Sequence, residues 1–169
     1  MFGFGLQART AECVRRGGQA LFLGTYINQQ AITQMPLNEE AQAALYYYTA
    51  ALCLHDLFEQ MKASSLSGQK AWCTIDFFME NALAGIERFE RERHLPKGAL
   101  AAHCIAPLGQ IGEYVEQGGT VPVQIAAAEV QLIHEGKLSY TSHQDAVPIR
   151  EFMADCKEKF HADTAHMFT

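Results

Sequence analysis

The sequence predicts an all-α fold, a single-domain bundle of five to seven helices. Three observations carry that expectation. Apolar residues recur at spacings of three and four in five separate segments. Gly and Pro divide the chain into helix-length pieces. Strand signals are nearly absent, with almost no Val/Ile/Thr alternation and no Asn-Gly hairpin. The 169 residues fit one domain. A chain of about 150 residues can bury roughly 70% of its unfolded surface. The 49% hydrophobic content, with ten Phe, six Tyr and one Trp, supplies a core of that size. The expected domain spans residues 1–160, with a loose tail over 161–169.

The first segment, about Leu6 to Gln34, contains Gly17-Gly18, and is one interrupted helix or two short ones. Pro36 closes it. The second is the clearest. Asn38 can cap it, and Glu39 and Glu40 face the positive end of its dipole. Tyr47, Ala51, Leu54, Phe58 and Met61 form one stripe, and Leu45, Tyr48 and Leu52 a second beside it. So wide an apolar arc predicts a central helix with neighbours on both sides. The third helix carries Trp72, Ile75, Met79, Leu83, Ile86 and Phe89. It ends in the charged run Glu87 to His94, expected to be solvated, and Pro96 stops it.

In the fourth segment, Gly98 to Gln117, Leu100, Cys104, Leu108, Ile111 and Val115 are in register, and Pro107 should kink or split it. Gly118-Gly119 ends it. Thr120 and Pro122 open a fifth helix, with Ile125, Leu132 and Ile133 expected inward and Gly136 as the stop. Leu138 to Gln144 is a loop or short strand. A sixth helix starts near Pro148, with Ile149, Phe152, Cys156 and Phe160 on one face.

The net charge of −6 argues against nucleic acid and anionic membranes as partners, since both select basic patches. No run of 18 apolar residues is present, and the N-terminus lacks the apolar core of a secretory signal. The five cysteines, Cys13, Cys53, Cys73, Cys104 and Cys156, are scattered and form no CxxC. Reduced core thiols and a cytoplasmic location are the expectation.

Motifs for chemistry are sparse. His55, Asp56 and Glu59 lie near one another on the second helix. His55-Asp56 is reminiscent of the metal-dependent HD phosphohydrolases, which need an earlier His that this chain lacks. The Glu-x-x-His pairs of di-iron bundles do not occur. His94-Leu95-Pro96-Lys97-Gly98 resembles the His-x-x-Lys-Gly stretch of histidine phosphotransfer domains, but Pro96 is incompatible with a mid-helix His94. His103-Cys104 and His134-Glu135 are adjacent residues that point about 100° apart, so neither is a ready-made pair. His161, Asp163 and His166 sit in the expected tail. No cofactor and no metal centre is expected.

Charge placement is the one non-trivial pattern. No Lys or Arg lies between Arg16 and Lys62, where Glu39, Glu40, Asp56 and Glu59 occur. None lies between Lys97 and Lys137, where Glu113, Glu116, Glu129 and Glu135 occur. In size, charge and lack of motif the chain resembles bacterial immunity proteins that neutralise toxins. That resemblance implies a protein-binding or inhibitory module that covers a basic toxin or enzyme. The expected site is an acidic face of Glu39, Glu40, Asp56, Glu59, Glu113, Glu116 and Glu129. Two alternatives remain: a small-molecule binder with a cavity near Tyr46, Tyr47, Tyr48 and Trp72, and a metal-dependent helical enzyme using His55 and Asp56.

Overall fold

The helical pattern predicted from spacing is the pattern observed. A computed structural model describes residues 11–12, 15, 27–63, 75–117, 123–136 and 146–165. Six helices follow in order: α1 (Gln29–Thr33), α2 (Glu39–Ala63), α3 (Ile75–Glu92), α4 (Ala101–Glu116), α5 (Val123–Glu135) and α6 (Val147–Thr164). Residues 11, 12 and 15 are also helical, and the described residues contain no strand. No helix among them is long and apolar enough to cross a membrane.

Helix α2 is the axis of the fold. It packs against α1, α4, α5 and α6, while α5 also meets α6 and α3 lies on α4. Its buried residues run nearly all the way round: Ala41, Leu45, Thr49, Ala50, Ala51, Leu52, Cys53, Leu54, Leu57 and Phe58. A helix apolar on so many sides belongs in the interior. Both predicted stripes contribute, with Tyr47 and Tyr48 only partly buried. The side chain of Met61 and the whole of Trp72 lie outside the described residues.

Local chemistry fixes the helix starts. The Asn28 side chain accepts from the Gln30 and Ala31 N–H groups and opens α1. Asn38 serves two helices at once. Its Oδ1 accepts the Ala41 N–H at 2.8 Å, capping α2. Its Nδ2 donates to the carbonyls of Ile133 and His134, the last turn of α5, and its backbone N–H donates to His134 Nδ1 at 3.0 Å. Ends of helices leave such groups unsatisfied, and here one residue serves donors and acceptors from both.

Four expectations need correction. Of the kink or split expected at Pro107 the split does not occur, since α4 runs unbroken from Ala101 to Glu116. The missing Pro107 N–H would have met the carbonyl of His103, an exposed residue, so water can take its place. Ile125 does not point inward; it is 44% exposed, and the buried face of α5 is Ala126, Ala127, Ala128 and Val130. The buried face of this helix, which packs on α2 and α6, is made mostly of small residues, and Ile125 is left outside it. The chain does not loosen at His161: α6 continues to Thr164, which is buried and bonds the Phe160 carbonyl. Gly118-Gly119, Thr120, Pro122, residues 138–144 and His166 lie outside the described residues.

The fourth correction concerns Glu90, in the run expected to be solvated. It is only 1% exposed. Its carboxylate accepts the N–H groups of Gly98, Leu100 and Ala101 at 2.9, 2.6 and 2.9 Å. A carboxylate at the start of α4 meets both orphan donors and the positive helix end. The turn that permits this has His94 at φ 55°, with Leu95 N–H bonded to the Glu90 carbonyl and His94 N–H to that of Arg91. That is a left-handed helix stop with a residue other than glycine in the left-handed position. The rest of the run behaves as expected: Arg88 pairs with Glu92 at 3.0 Å, and Arg93 lies over the Phe89 ring.

The three amides hold the Glu90 pKa below the ordinary carboxylate value, Ala101 and Gly98 most strongly, against the opposing pull of burial. A depressed folded pKa contributes stability that is present above the unfolded value, about 4.3, and lost as pH falls through the folded one. Glu90→Gln should therefore melt several degrees below the parent at pH 7, with the gap narrower at pH 3. Thermal melts of both proteins at the two pH values check this; an equal gap at both would remove the assigned role.

Candidate functional site

The two Lys- and Arg-free stretches come together in one place. Residues of α1, the first two turns of α2 and the middle of α4 line a groove of about 490 Å³. Its walls are Gln29, Ile32 and Thr33 from α1, Glu39, Gln42, Ala43, Tyr46 and Tyr47 from α2, and Gln110 and Ile111 from α4. Buried Ile32 and Ile111 form apolar floor contacts, and glutamines, tyrosines and one carboxylate make the polar part. Among the described residues no Lys or Arg lines it.

The aromatic wall is fixed. The Tyr47 hydroxyl donates to the Gln110 carbonyl at 3.1 Å. The Tyr47 ring meets Tyr48 and Tyr114 edge-on, with centroids 5.8 and 5.6 Å away. Tyr48 and Tyr114 are themselves 6.3 Å apart. Such edge-to-face packing orients rings as well as burying them. Burial raises the Tyr46 pKa to about 12, aided by Cys104. Burial also raises that of Tyr47, reinforced by Tyr114 and Glu113. Tyr48 is raised by burial and by its hydrogen bond to Glu129. All three hydroxyls stay neutral at physiological pH.

The structure distributes the seven acidic residues unevenly. Glu39 lines the groove, and Glu40 is its exposed neighbour. Glu113 is exposed on α4, near enough to Tyr47 to perturb it. Glu129 is half-buried on α5 and bonded to Tyr48. Glu39 thus shares the groove with Tyr46 and Tyr47, while Glu113 and Glu129 act on Tyr47 and Tyr48. None of the ion pairs among the described residues involves Glu39, Glu40 or Glu113. The side chain of Glu116 lies outside the described residues.

Asp56 and Glu59 are elsewhere. Asp56 is seventeen positions along the helix from Glu39, so roughly 26 Å away at 1.5 Å per residue. Its side chain is 14% exposed and engaged: His161 Nδ1 lies 2.9 and 3.0 Å from its two oxygens, and Gln60 Nε2 donates to it at 2.7 Å. Gln60 also donates to Thr164. This network docks the end of α6 on α2. His55 pairs not with Asp56 but with Glu59, at 3.6 Å. Among the described residues no group of three or more His, Cys, Asp or Glu is placed to hold a metal ion. Cys53, Cys104 and Cys156 are free and buried, and burial raises all three thiol pKa values, that of Cys156 to about 11. A buried neutral thiol is a poor nucleophile.

Reasoning from sequence found Glu39, Tyr46 and Tyr47 but not Gln29, Thr33, Gln42 or Gln110. Their signal is faint: a scatter of amides and one hydroxyl in segments with no positive charge. The chain matches no protein-family model, no curated protein and no solved structure.

Proposed function

We propose that the protein is a binding module that engages a basic protein partner through the acidic surface around the α1–α2–α4 groove, with inhibition of that partner as its role. One observation carries the reading. The described walls of the groove come from the two segments without Lys or Arg; Glu39 lines it, Glu40 is the exposed residue next to Glu39, and Glu113 stands near its Tyr47 wall. Fields of one sign steer oppositely charged partners and turn like-charged ones away. The groove volume also lies within the range of small-molecule sites, which favours a free cationic ligand as the second reading.

The test is co-purification from the cells of origin at low salt, followed by association kinetics. A basic protein should be retained one to one. Glu39→Lys combined with Glu113→Lys should then slow association about tenfold at low salt, with the circular dichroism unchanged. The difference should shrink near 0.15 M salt, where the Debye length is about 8 Å. Absence of a basic partner, or an unchanged rate, would overturn the reading.

A further inference from the structure

The hydrogen bonds around the groove have a direction. A backbone carbonyl can only accept, so any polar side chain bonded to one must supply the hydrogen. The Tyr47 hydroxyl gives its hydrogen to the Gln110 carbonyl at 3.1 Å. The Thr33 hydroxyl gives its own to the Gln30 carbonyl at 2.9 Å. The Gln42 amide nitrogen is turned to the Leu37 carbonyl at 3.1 Å, which leaves Oε1 as its acceptor end. Glu39 as a carboxylate has only lone pairs to offer. Four side chains of one groove thus present acceptors: two hydroxyl oxygens, an amide oxygen and a carboxylate. An aromatic ring already locked in place stands beside them.

A ligand that matches must be rich in donors, carry positive charge and have a flat face to lay on a ring. Guanidinium is that group: five N–H donors, no acceptor, planar, permanently charged and prone to stack on aromatic faces. An ammonium matches the charge but has three donors and no plane. An anion would be repelled by the Glu39 carboxylate and would face the four acceptors above, with side-chain donors only on the Gln29 and Gln110 amides among the four described glutamine and glutamate walls.

We propose that the groove between α1, α2 and α4 seats one arginine side chain of the basic partner, held by Glu39, Thr33 and Gln42 and stacked on the Tyr47 ring. This rests on the partner-binding reading above and names what the partner inserts. Guanidinium recognition by a carboxylate is charge-assisted and geometrically selective, so the site supplies specificity while the surrounding acids supply attraction.

The probes are blocked peptides, acetyl-Gly-Arg-Gly-amide and its lysine and citrulline counterparts. Citrulline keeps the shape but replaces the charged donor group with a neutral urea. Two-dimensional NMR titration of the intact protein should show the arginine peptide binding in the millimolar range and shifting the amides of Thr33, Gln42 and Tyr47. The lysine peptide should bind several-fold more weakly, and the citrulline peptide at least tenfold more weakly. Glu39→Gln should weaken the arginine peptide about tenfold, while Glu59→Lys, exposed and twenty positions along α2 from Glu39, so roughly 30 Å away, should leave it within about twofold. No binding, equal binding of arginine and citrulline, or tighter binding of free spermidine than of the arginine peptide would each overturn the proposal. The last would assign the groove to a small cation instead. The two readings fail separately. Partner association that slows in Glu113→Lys, with no arginine-peptide binding, would sink the arginine seat and leave the partner surface standing. Arginine-peptide binding with no basic partner would do the reverse to the functional reading.

Discussion

Replacing Leu54 with alanine is expected to remove about 2–5 kcal/mol of stability, the range for large-to-small changes at fully packed sites. Leu54 is wholly buried at the middle of α2, the helix on which α1, α4, α5 and α6 all rest. A void there cannot be closed by moving one neighbour without disturbing others. Domains of this kind hold about 5–15 kcal/mol in all, so the loss is a large share. Urea unfolding should show a lower midpoint at an unchanged slope. A loss below about 1 kcal/mol would mean that this side of α2 yields easily and is not the packed centre of the fold.

Gly85→Ala should destabilise as well, against the grain of helix propensity. In the middle of a helix alanine normally gains about 1 kcal/mol over glycine. At Gly85 the added Cβ would stand 2.5 Å from the Arg15 backbone oxygen and 3.1 Å from its carbonyl carbon. The obstacle is backbone, so a rotamer change cannot relieve it. Either α3 or the helical segment containing Ala11, Glu12 and Arg15 must move, and overpacking of this kind costs about 1–3 kcal/mol. Around this contact Glu12 pairs with Arg15 at 3.1 Å and with Arg88 of α3 at 3.6 Å. Those exposed pairs are worth little by themselves. The close approach is what defines the docking. The variant should therefore melt lower and be cut faster by trypsin after Arg15. A variant that is stabilised, with unchanged cleavage, would show that the segment does not rest on Gly85.

The helices were legible because burial on one side imposes a period of 3.6 on the sequence. Leu45, Leu52, Leu54, Ile86, Ile111, Ile149 and Phe160 announce their positions through that period, and each is buried. Ile125 was misread because hydrophobicity was weighed without size. Where helices approach closely, alanine occupies the interface and isoleucine is displaced to water. Glu90 was misread for the opposite reason. Charge predicts exposure unless partners are near, and its partners are backbone amides eight to eleven residues ahead, which no residue type advertises. Asp56 and His161 stand 105 positions apart, so their pairing is a property of how α2 and α6 meet rather than of either helix. The site was half legible. Missing Lys and Arg singled out the two segments whose residues line the groove. The direction in which Tyr47, Thr33 and Gln42 use their hydrogens depends on neighbouring carbonyls, and only the folded backbone supplies those.

Asn38 ties together two things that normally come apart separately. Helix ends fray, each on its own, because the terminal turn has little to hold it. Here the first turn of α2 and the last turn of α5, 96 residues away, lean on one side chain and one backbone amide. Unwinding the α2 end strips the last turn of α5 of its donors, and unwinding the α5 end releases the bonds that hold the Asn38 amide in its capping orientation. The two ends therefore open in concert, as one cooperative unit of local unfolding, rather than as two independent frays. Glu39, the next residue, sits on that same unit, so the carboxylate of the groove is coupled to the far end of α5 through Asn38.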